Sequence, residues 1–523
     1  MIKTKRILCL LLAMLMLLPL LVACNKNSDD PAAAETTDAA AGAQASASSD
    51  VADESTEEEL RYDENGYLMD NLDLKGVNLE GKQINILTNE KNAYYTAPDD
   101  LGGAMKASVF NRHMTVITRL NCKLNYVTVD GGYGKDSVVI QTVQGMITEK
   151  TVDAVAIYSL TASALMLQGI TMDLKKSEML EFDKPWWNQQ LVDSCSIYDR
   201  LYFCSGDINH QMIMGAFVYC YNKDFAASSR VNEFISETYE EDDIYALVDS
   251  GRWTFDKMTT IAKMVSMNED GVKTADDLYG YVGNAPSIDN FYQASGMIST
   301  TKGADGSFAI SSDINSSRAG KVVSDVIEFF KHPGVMNEFS TSGKAADGST
   351  CGTIYNSGNA LFHHNQLTML TIAKNFDEGV LPAPKYDEEQ PEYRCVPSFV
   401  YTMWCVVRGS ANEYEDVCAV MECLASEGHR QTYPTYFDVI IAGREDSADD
   451  YDMLHIIHES LVIDGGRVIS APFNDNLFGL FRNAIAGERD YLSYYAGAAR
   501  TITEQAIALN SLVRNYESMY GSN

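Results

Sequence analysis

The chain has 523 residues and a formal net charge of −33, with 46% hydrophobic and 10% aromatic residues. This hydrophobic content is typical of a globular protein, and the length predicts roughly two to four domains because one core does not grow this large. The negative charge argues against nucleic acid, whose phosphates are bound by Lys and Arg. It also disfavours anionic substrates, unless one local basic pocket overrides the acidic surface.

The N-terminus has the three parts of a targeting segment. Residues 1–6 carry three basic side chains, residues 7–18 are apolar, and Leu-Val-Ala-Cys at 21–24 ends the segment. Because the apolar stretch is short for a membrane span, we predict a signal peptide over residues 1–23. The ending also resembles the lipobox of bacterial lipoproteins, which implies that Cys24 carries diacylglycerol. A secretory signal with a chance cysteine is the alternative.

The stretch after Cys24 lacks the residues that build a core. Residues 25–60 are mainly Ala, Ser, Thr, Asp and Glu, so they bury too little apolar surface to offset chain entropy. We therefore predict a lipidated, disordered tether over residues 24–70.

The cysteines do not indicate a disulfide framework. Of eleven, Cys9 and Cys24 belong to the signal and the lipid anchor, which leaves nine, and no Cys-x-x-Cys spacing occurs. We expect the nine to be small buried side chains with free thiols.

The first folded segment alternates strands and helices. The pattern predicts strands at 82–88, 122–129 and 152–158 and helices at 104–120, 137–150 and up to 167. A β-α-β-α-β run implies right-handed crossovers and a parallel sheet, whose ligands bind outside the carboxyl ends of the strands. That rule makes Asn89, Glu90, Tyr158 and Ser159 candidate ligand-binding residues.

A second notable stretch is residues 197–225. Two strand-like runs, 201–204 and 216–221, flank the polar insert Ser205 to Gln211. A buried polar cluster costs free energy unless it is hydrogen-bonded, and both a plain turn and a ligand site account for the insert.

The rest of the chain is richer in helices. The sequence predicts helices at 254–267, 316–331, 410–426, 447–461, 475–486 and 490–517, a strand at 399–407 and a loop at 284–308. The helix after residue 410 is predicted to open with a capping box, Ser410 to Glu413.

Motifs for catalysis or metal binding are weak. His455 and His458, with Glu459, share a helix face, but neither an HExxH pattern nor a third ligand accompanies them, so a hydrogen-bonded or surface pair is favoured. No GxSxG elbow occurs, and residues 76–83 match a P-loop incompletely. Nothing singles out one carboxylate pair for glycoside hydrolysis.

Aromatic residues near predicted strand ends favour a carbohydrate cleft. Sugars are held by aromatic faces together with amide and carboxylate groups. The candidates are Tyr94, Tyr158, Trp186-Trp187, Asn290 to Tyr292, and Trp404, although each tryptophan alone is more often a core residue.

Several segments resemble the extracellular solute-binding proteins of bacterial ABC importers, the group that includes maltose-binding protein. The resemblance covers nearly the whole chain past residue 80. The segments are the lipobox at Cys24, VDAVAIYSLTASALMLQGITMDL at 152–174, RLYFCSGD at 200–207, FVYCYNKD at 217–224, RWTFDKM at 252–258, SGNALF at 357–362, and GVLPAPKYDEEQPEY at 379–393. In addition, EDSADDYDMLHII at 445–457 is similar to a segment of clostridial members.

The resemblance implies an α/β, two-lobed periplasmic-binding-protein-like fold with a ligand cleft between the lobes. By analogy, lobe 1 comprises 80–208 plus 354–412, and lobe 2 comprises 209–353 plus 413–523. Asp207 and Asn209 are expected at the first crossover, facing solute. The other positions carried over are Asn89, Glu90, Tyr158, Ser159, Tyr292, His364 and Asn365. Family members often carry a tryptophan where this chain has His364, which puts stacking there in doubt.

The resemblance implies a lipid-anchored substrate-binding protein that captures a sugar or oligosaccharide and delivers it to an ABC permease. It implies a monomer outside the cytoplasm that needs no cofactor or metal and performs no catalysis. The alternatives are a lipid-anchored glycan hydrolase, which needs two carboxylates facing one cleft, and the same fold binding a peptide or polyamine.

Overall fold

The computed structural model describes residues 61–89, 102–268, 270–339, 344–399, 401–442, 447–474, 477 and 479–521. The predicted signal peptide, and the predicted tether up to residue 60, lie outside this range. The chain from Leu60 onwards forms one compact unit. None of the helices in the described part of the chain combines the length and apolar character that crossing a membrane requires.

The strands fall into two main sheets and a small hairpin. In chain order they are β1 Gln83–Asn89, β2 Lys123–Val129, β3 Ala154–Tyr158, β4 Phe217–Asn222, β5 Tyr279–Gly283, β6 Thr300–Lys302, β7 Phe308–Ile310, β8 Val335–Asn337, β9 Ala360–Gln366, β10 Glu378–Leu381 and β11 Thr402–Val406. The strand order is β11-β3-β1-β2 in the first sheet and β10-β4-β9-β5-β8 in the second, and β6 pairs with β7.

Helices surround both sheets. They are α1 Ala104–Leu120, α2 Asp136–Glu149, α3 Thr161–Leu167, α4 Gln189–Cys195, α5 Gln211–Met214, α6 Lys223–Ser228, α7 Val231–Tyr239, α8 Ile244–Asp249, α9 Phe255–Val265, α10 Asn290–Ala294, α11 Ser317–Lys331, α12 Cys351–Asn356, α13 Tyr414–Glu427, α14 Tyr433–Ile441, α15 Ser447–Glu459, α16 Gly465–Val468, α17 Gly479–Ala486, α18 Tyr491–Arg514 and α19 Tyr516–Tyr520. One π-helical turn, Gly428–Thr432, joins α13 to α14.

The predicted β-α-β-α-β run is confirmed. β1 pairs in parallel with both β2 and β3, and the intervening helices are α1 and α2. The buried face of α1 includes Val109, Val116 and Leu120, at the spacing of one helical face. β11 joins the edge beside β3 in the antiparallel direction, so its amino end lies next to the carboxyl end of β3.

Among the described residues, two segments that lie side by side, 204–217 and 396–404, connect strands of the first sheet with strands of the second. Trp404 N donates to Cys204 O at 2.8 Å, and Phe217 N donates to Val396 O at 2.9 Å. The first segment contains the predicted crossover at 208/209. The second lies well after the predicted return at 353/354.

The strand pairing corrects the predicted lobe boundaries. β9 and β10, assigned to lobe 1 within 354–412, belong to the second sheet because each pairs antiparallel with β4. Conversely, α13 was assigned to lobe 2 but packs against α1 and β11 of the first sheet. The last helix also reaches the first sheet's side, since Tyr516 Oη donates to Thr171 O at 3.1 Å.

Three local predictions are wrong in detail. Residues 201–204 form only an isolated bridge, between Cys204 and Trp404. Ser410 does not cap α13, because its hydroxyl donates to Asp153 Oδ1 at 2.6 Å. The predicted loop 284–308 contains a helix and a strand, α10 and β6, and ends at the first residue of β7.

Candidate functional site

Residues that follow strands of both sheets meet in one group of charged and aromatic side chains. We define the cleft cluster as Tyr158, Asp289, Phe399, Arg467 and Arg482. Tyr158 ends β3 of the first sheet, and Asp289 lies six residues after β5 of the second. Phe399 precedes β11, and the two arginines come from α16 and α17. The strand ends of the two sheets therefore face the same place.

Asp289 anchors both guanidinium groups of the cleft cluster. Arg482 Nε donates to Asp289 Oδ1 at 2.7 Å, and Arg482 Nη2 bonds the other carboxylate oxygen. Arg467 Nη2 lies 3.8 Å from Asp289 Oδ2. The bidentate pair with Arg482 fixes the orientation of the carboxylate, which a single hydrogen bond would not do.

Arg467 is an unusually buried cation, with only 4% of the residue exposed. Its guanidinium lies over the ring of Phe399, 4.1 Å from the centroid, an arrangement that stabilises a desolvated cation. Burial lowers the pKa of Arg467, and the charge of Asp289 opposes that change. Arg482 extends over Phe339, which follows β8, at 5.8 Å.

Tyr158 brings a phenol hydroxyl to the cleft cluster. Burial raises its pKa, and the positive charges of Arg467 and Arg482 oppose the rise. The neighbouring backbone is held firmly, because Ser159 Oγ donates to Phe399 O at 2.9 Å and Ser159 N donates to Tyr401 O at 3.1 Å. These two hydrogen bonds thus join the carboxyl end of β3 to the segment before β11.

A small cavity of about 30 Å³ adjoins the cleft cluster on the side of the second sheet. Asp289, Arg467, Tyr292 and Phe481 are among its lining residues. A cavity of this size has room for ordered water.

The predicted ligand-binding residues divide into those near this site and those elsewhere. Tyr158 belongs to the cleft cluster, and Ser159 supports it. Asn89 ends β1, the strand next to β3, and Tyr292 lines the adjoining cavity. Glu90 and Tyr94 lie outside the described residues, so their predicted role stays a prediction.

Asp207 and Asn209 bind protein groups. Asn209 is fully buried, while Asp207 also lines a pocket of about 340 Å³, so the predicted contact of Asp207 with solute stays a prediction. His429 Nδ1 lies 2.6 Å from Asp207 Oδ2, and His458 Nε2 lies 3.9 Å from Oδ1. Burial alone would raise the pKa of Asp207, but hydrogen bonds from the two histidines lower it below the ordinary value. Asn209 Nδ2 donates to Thr402 O at 3.0 Å. Both side chains hold the crossing segment in place.

Asn290, His364, Asn365 and Trp404 are core residues, which corrects their assignment to a cleft. His364 stacks on Tyr219 at 4.3 Å and has a bonding partner at each ring nitrogen: Tyr281 Oη at 2.8 Å and Asn290 Nδ2 at 3.1 Å. Burial lowers the pKa of His364 and keeps it neutral. Asn365 bonds the side chains of Asn284 and His363, and Trp404 is fully buried.

The metal candidates are accounted for by protein contacts. His455 packs edge-on against Phe437 at 5.3 Å, and His458 lies 4.1 Å from the ring of Tyr433. Within the described ranges, one other group has metal-ligand spacing: Asp70, Cys423 and Glu427. Arg119 bonds both carboxylates of that group at 2.7 to 2.8 Å, which makes it an ion-pair network.

Sequence reasoning missed four of the five residues of the cleft cluster: Asp289, Phe399, Arg467 and Arg482. One signal was available. Arg467 follows two glycines in Asp464 to Ser470, a segment that is otherwise short on charge, and a lone cation there is unusual in an acidic chain.

No protein-family model matches the chain, and no curated protein matches it. Several solved structures do match the chain. The cyclic α-maltosyl-1,6-maltose binding protein from Arthrobacter globiformis has a TM-score of 0.53 and 12% identity, over 81% of this chain and 98% of that chain. A cyclo/maltodextrin-binding protein complexed with maltotetraose has a TM-score of 0.52 and 12% identity, over 81% and 97%. The chain therefore has the two-lobed α/β fold of periplasmic binding proteins.

Proposed function

We propose that this chain is the substrate-binding protein of an ABC importer and captures a saccharide between its two lobes. The observation that carries the proposal is the cleft cluster, in which residues from strand ends of both sheets meet. Ligands of open α/β sheets bind at such strand ends. Aromatic and hydrogen-bonding groups are combined there, as sugar recognition requires. A neighbour of the same fold holds maltotetraose.

Capture would proceed by hinge closure. A solute that contacts Tyr158 on one side and the Asp289–Arg482 pair on the other binds the closed form better, and so shifts the population toward it. The hinge would be the paired crossing segments 204–217 and 396–404, because the chain passes between the sheets there.

Around this core we propose the setting that the sequence predicts. The chain would belong to the maltose-binding-protein-like type and its clostridial lipoprotein branch. Cys24 would carry the lipid, residues 24–70 would tether the body outside the cytoplasm, and the closed monomer would deliver its solute to a membrane permease.

Hydrolysis fits the cleft cluster less well than binding does. A glycosidase needs one carboxyl group that donates a proton and a second that acts as base or nucleophile. The one carboxylate of the cleft cluster, Asp289, is held through both oxygens by Arg482 and stands beside Arg467. Those same cations oppose a polyamine at this position.

A thermal-shift screen of the full mature chain against neutral and acidic oligosaccharides, peptides and polyamines tests the proposal. A ligand at a hundred times its dissociation constant adds about 2.7 kcal/mol to the free energy of unfolding. We expect saccharides alone to raise the melting temperature, with chromatography showing the saccharide unchanged. A shift by peptides only, or appearance of shorter glycans, would contradict the proposal.

A further inference from the structure

A short loop, residues 130–135, follows β2 and stands at the same edge of the first sheet as Asn89 and Tyr158. β1 and β2 run parallel, with Asn89 opposite Val129, so both strands end at the same level. β3 runs parallel to β1 on its other side and ends at Tyr158. The loop therefore lies at the carboxyl edge of the sheet, where the solutes of open α/β sheets bind.

The base of this loop is packed and bonded. A Cβ on Gly131 would lie 2.7 Å from Ile157 Cδ1, so the backbone of the loop lies close against β3 at that point. Lys135 Nζ lies 3.0 Å from Asp130 Oδ2, an ion pair that joins the two ends of the loop. Lys135 N also donates to Gly132 O at 3.1 Å. These contacts hold the loop at the strand ends.

The tip of the loop presents Tyr133 to solvent. Tyr133 is 75% exposed, more than any other large hydrophobic residue in the described part of the chain. The space around it is open: a Cβ on Gly134 would meet nothing within 4 Å, and one on Gly132 would meet only Asn89 Nδ2, at 4.0 Å. Because apolar surface is less stable in water than against another apolar surface, this ring gains free energy from any partner that covers it.

We propose, on the basis of the proposed solute-binding function, that Tyr133 is a solute-contacting residue whose ring stacks on the C–H face of a pyranose. The position of the loop at the strand ends, and not on an outer helix face, favours the solute as the partner. A tyrosine has only two side-chain torsions, so fixing it against a ligand costs little conformational entropy. An aromatic face is also the kind of surface that sugar recognition uses.

Calorimetric titration of the full mature chain and of the variants Tyr133→Ala and Tyr133→Phe tests this. The probes are maltotetraose, cellotetraose, mannotetraose and xylotetraose, and the one that binds the wild-type chain most tightly is used for the variants. We expect Tyr133→Ala to weaken binding about tenfold or more, because it removes the whole apolar face. We expect Tyr133→Phe to bind within about threefold of the wild type, because it keeps that face. The melting temperatures of the free variants should match the wild type, since the side chain is exposed.

Tyr62→Ala is the matched control, because Tyr62 is 58% exposed but pairs with Leu68 in the segment before β1. It should bind the probe as the wild type does. Unchanged affinity in Tyr133→Ala would overturn the inference and leave the solute-binding function standing. Equal weakening in Tyr133→Ala and Tyr133→Phe would overturn the stacking assignment.

A fluorescence measurement on Tyr133→Trp reports the contact directly. The native tryptophans are all buried, so acrylamide should quench mainly the new indole in the free protein. We expect the saturating probe to protect that indole from quenching. Quenching that the bound probe does not reduce would place Tyr133 outside the site. If none of the probes binds the wild-type chain, the inference fails, and the solute-binding function fails with it only when the other saccharides of the thermal-shift screen give no shift either.

Discussion

We expect Glu422 to make the stability of this protein depend on pH near neutrality. It is a buried carboxylate on α13 that accepts hydrogen bonds from two adjacent indoles, Trp186 Nε1 at 2.9 Å and Trp187 Nε1 at 2.8 Å. Burial raises its pKa from 4.5 to about 8, although both indole bonds act in the opposite direction. The folded state therefore keeps its proton at a pH where the unfolded chain has released it.

The sign and size of the effect follow from that difference. Between pH 4.5 and pH 8 the folded state binds the extra proton, so the free energy of unfolding falls as pH rises, by about 1.4 kcal/mol per pH unit. From about pH 5.5 to 7.5 the loss is about 3 kcal/mol. For a folded body of this size, that corresponds to a melting temperature lower by about 3 °C.

Two measurements on the wild-type chain and Glu422→Gln check the reasoning. The variant cannot ionise, so we expect its melting temperature to lack this part of the decline with pH, and Glu237→Gln at an exposed helix position serves as control. Trp186 and Trp187 are two of the chain's four tryptophans, so native fluorescence should titrate near pH 8 in the wild type only. Parallel pH profiles for wild type and Glu422→Gln would refute the argument.

Three further outcomes are expected. Asp207→Asn should cost about 1 to 3 kcal/mol of stability while the dissociation constant for the solute changes less than about threefold; loss of binding with the fold intact would make Asp207 a ligand contact. Gly280→Ala should lower the free energy of unfolding in urea by about 3 kcal/mol, because the new Cβ would lie 1.8 Å from Ala262 O. The control Gly145→Ala places a Cβ with nothing within 4 Å, so its effect on stability should be neutral or stabilising. A thiol reagent should label none of the nine buried free cysteines until the protein is unfolded, and early labelling would contradict their burial.

Local patterns predicted local structure well. The run from β1 to α3 was predicted to within about two residues. Each of these helices and strands has the hydrophobic periodicity of its own type, which can be read from the local sequence. The pairing of β9 and β10 with β4 was not predicted, since it joins segments well over a hundred residues apart. The hydrophobic periodicity of a strand does not indicate which sheet the strand joins. The lobe boundaries taken by analogy therefore placed β9 and β10 in lobe 1, although both belong to the second sheet.

The candidate site shows the same limit more sharply. The positions of Asn89 and Tyr158 at strand ends were predicted because strand-end position is a local property, and their contact with solute stays a prediction. His364 was assigned to the cleft by the family resemblance, but its partners Tyr281 and Asn290, more than seventy residues away in the sequence, hold it in the core. The charged part of the cleft cluster joins positions from 289 to 482, and only the fold brings those side chains together.

The most direct test of the central claim is calorimetric titration of the full mature chain with the saccharide that raises its melting temperature, followed by recovery of that saccharide. We predict one saccharide bound per chain and complete recovery of the saccharide unchanged. The claim would be contradicted if chromatography showed shorter saccharide products. It would also be contradicted if no saccharide bound at concentrations that saturate binding proteins of this fold.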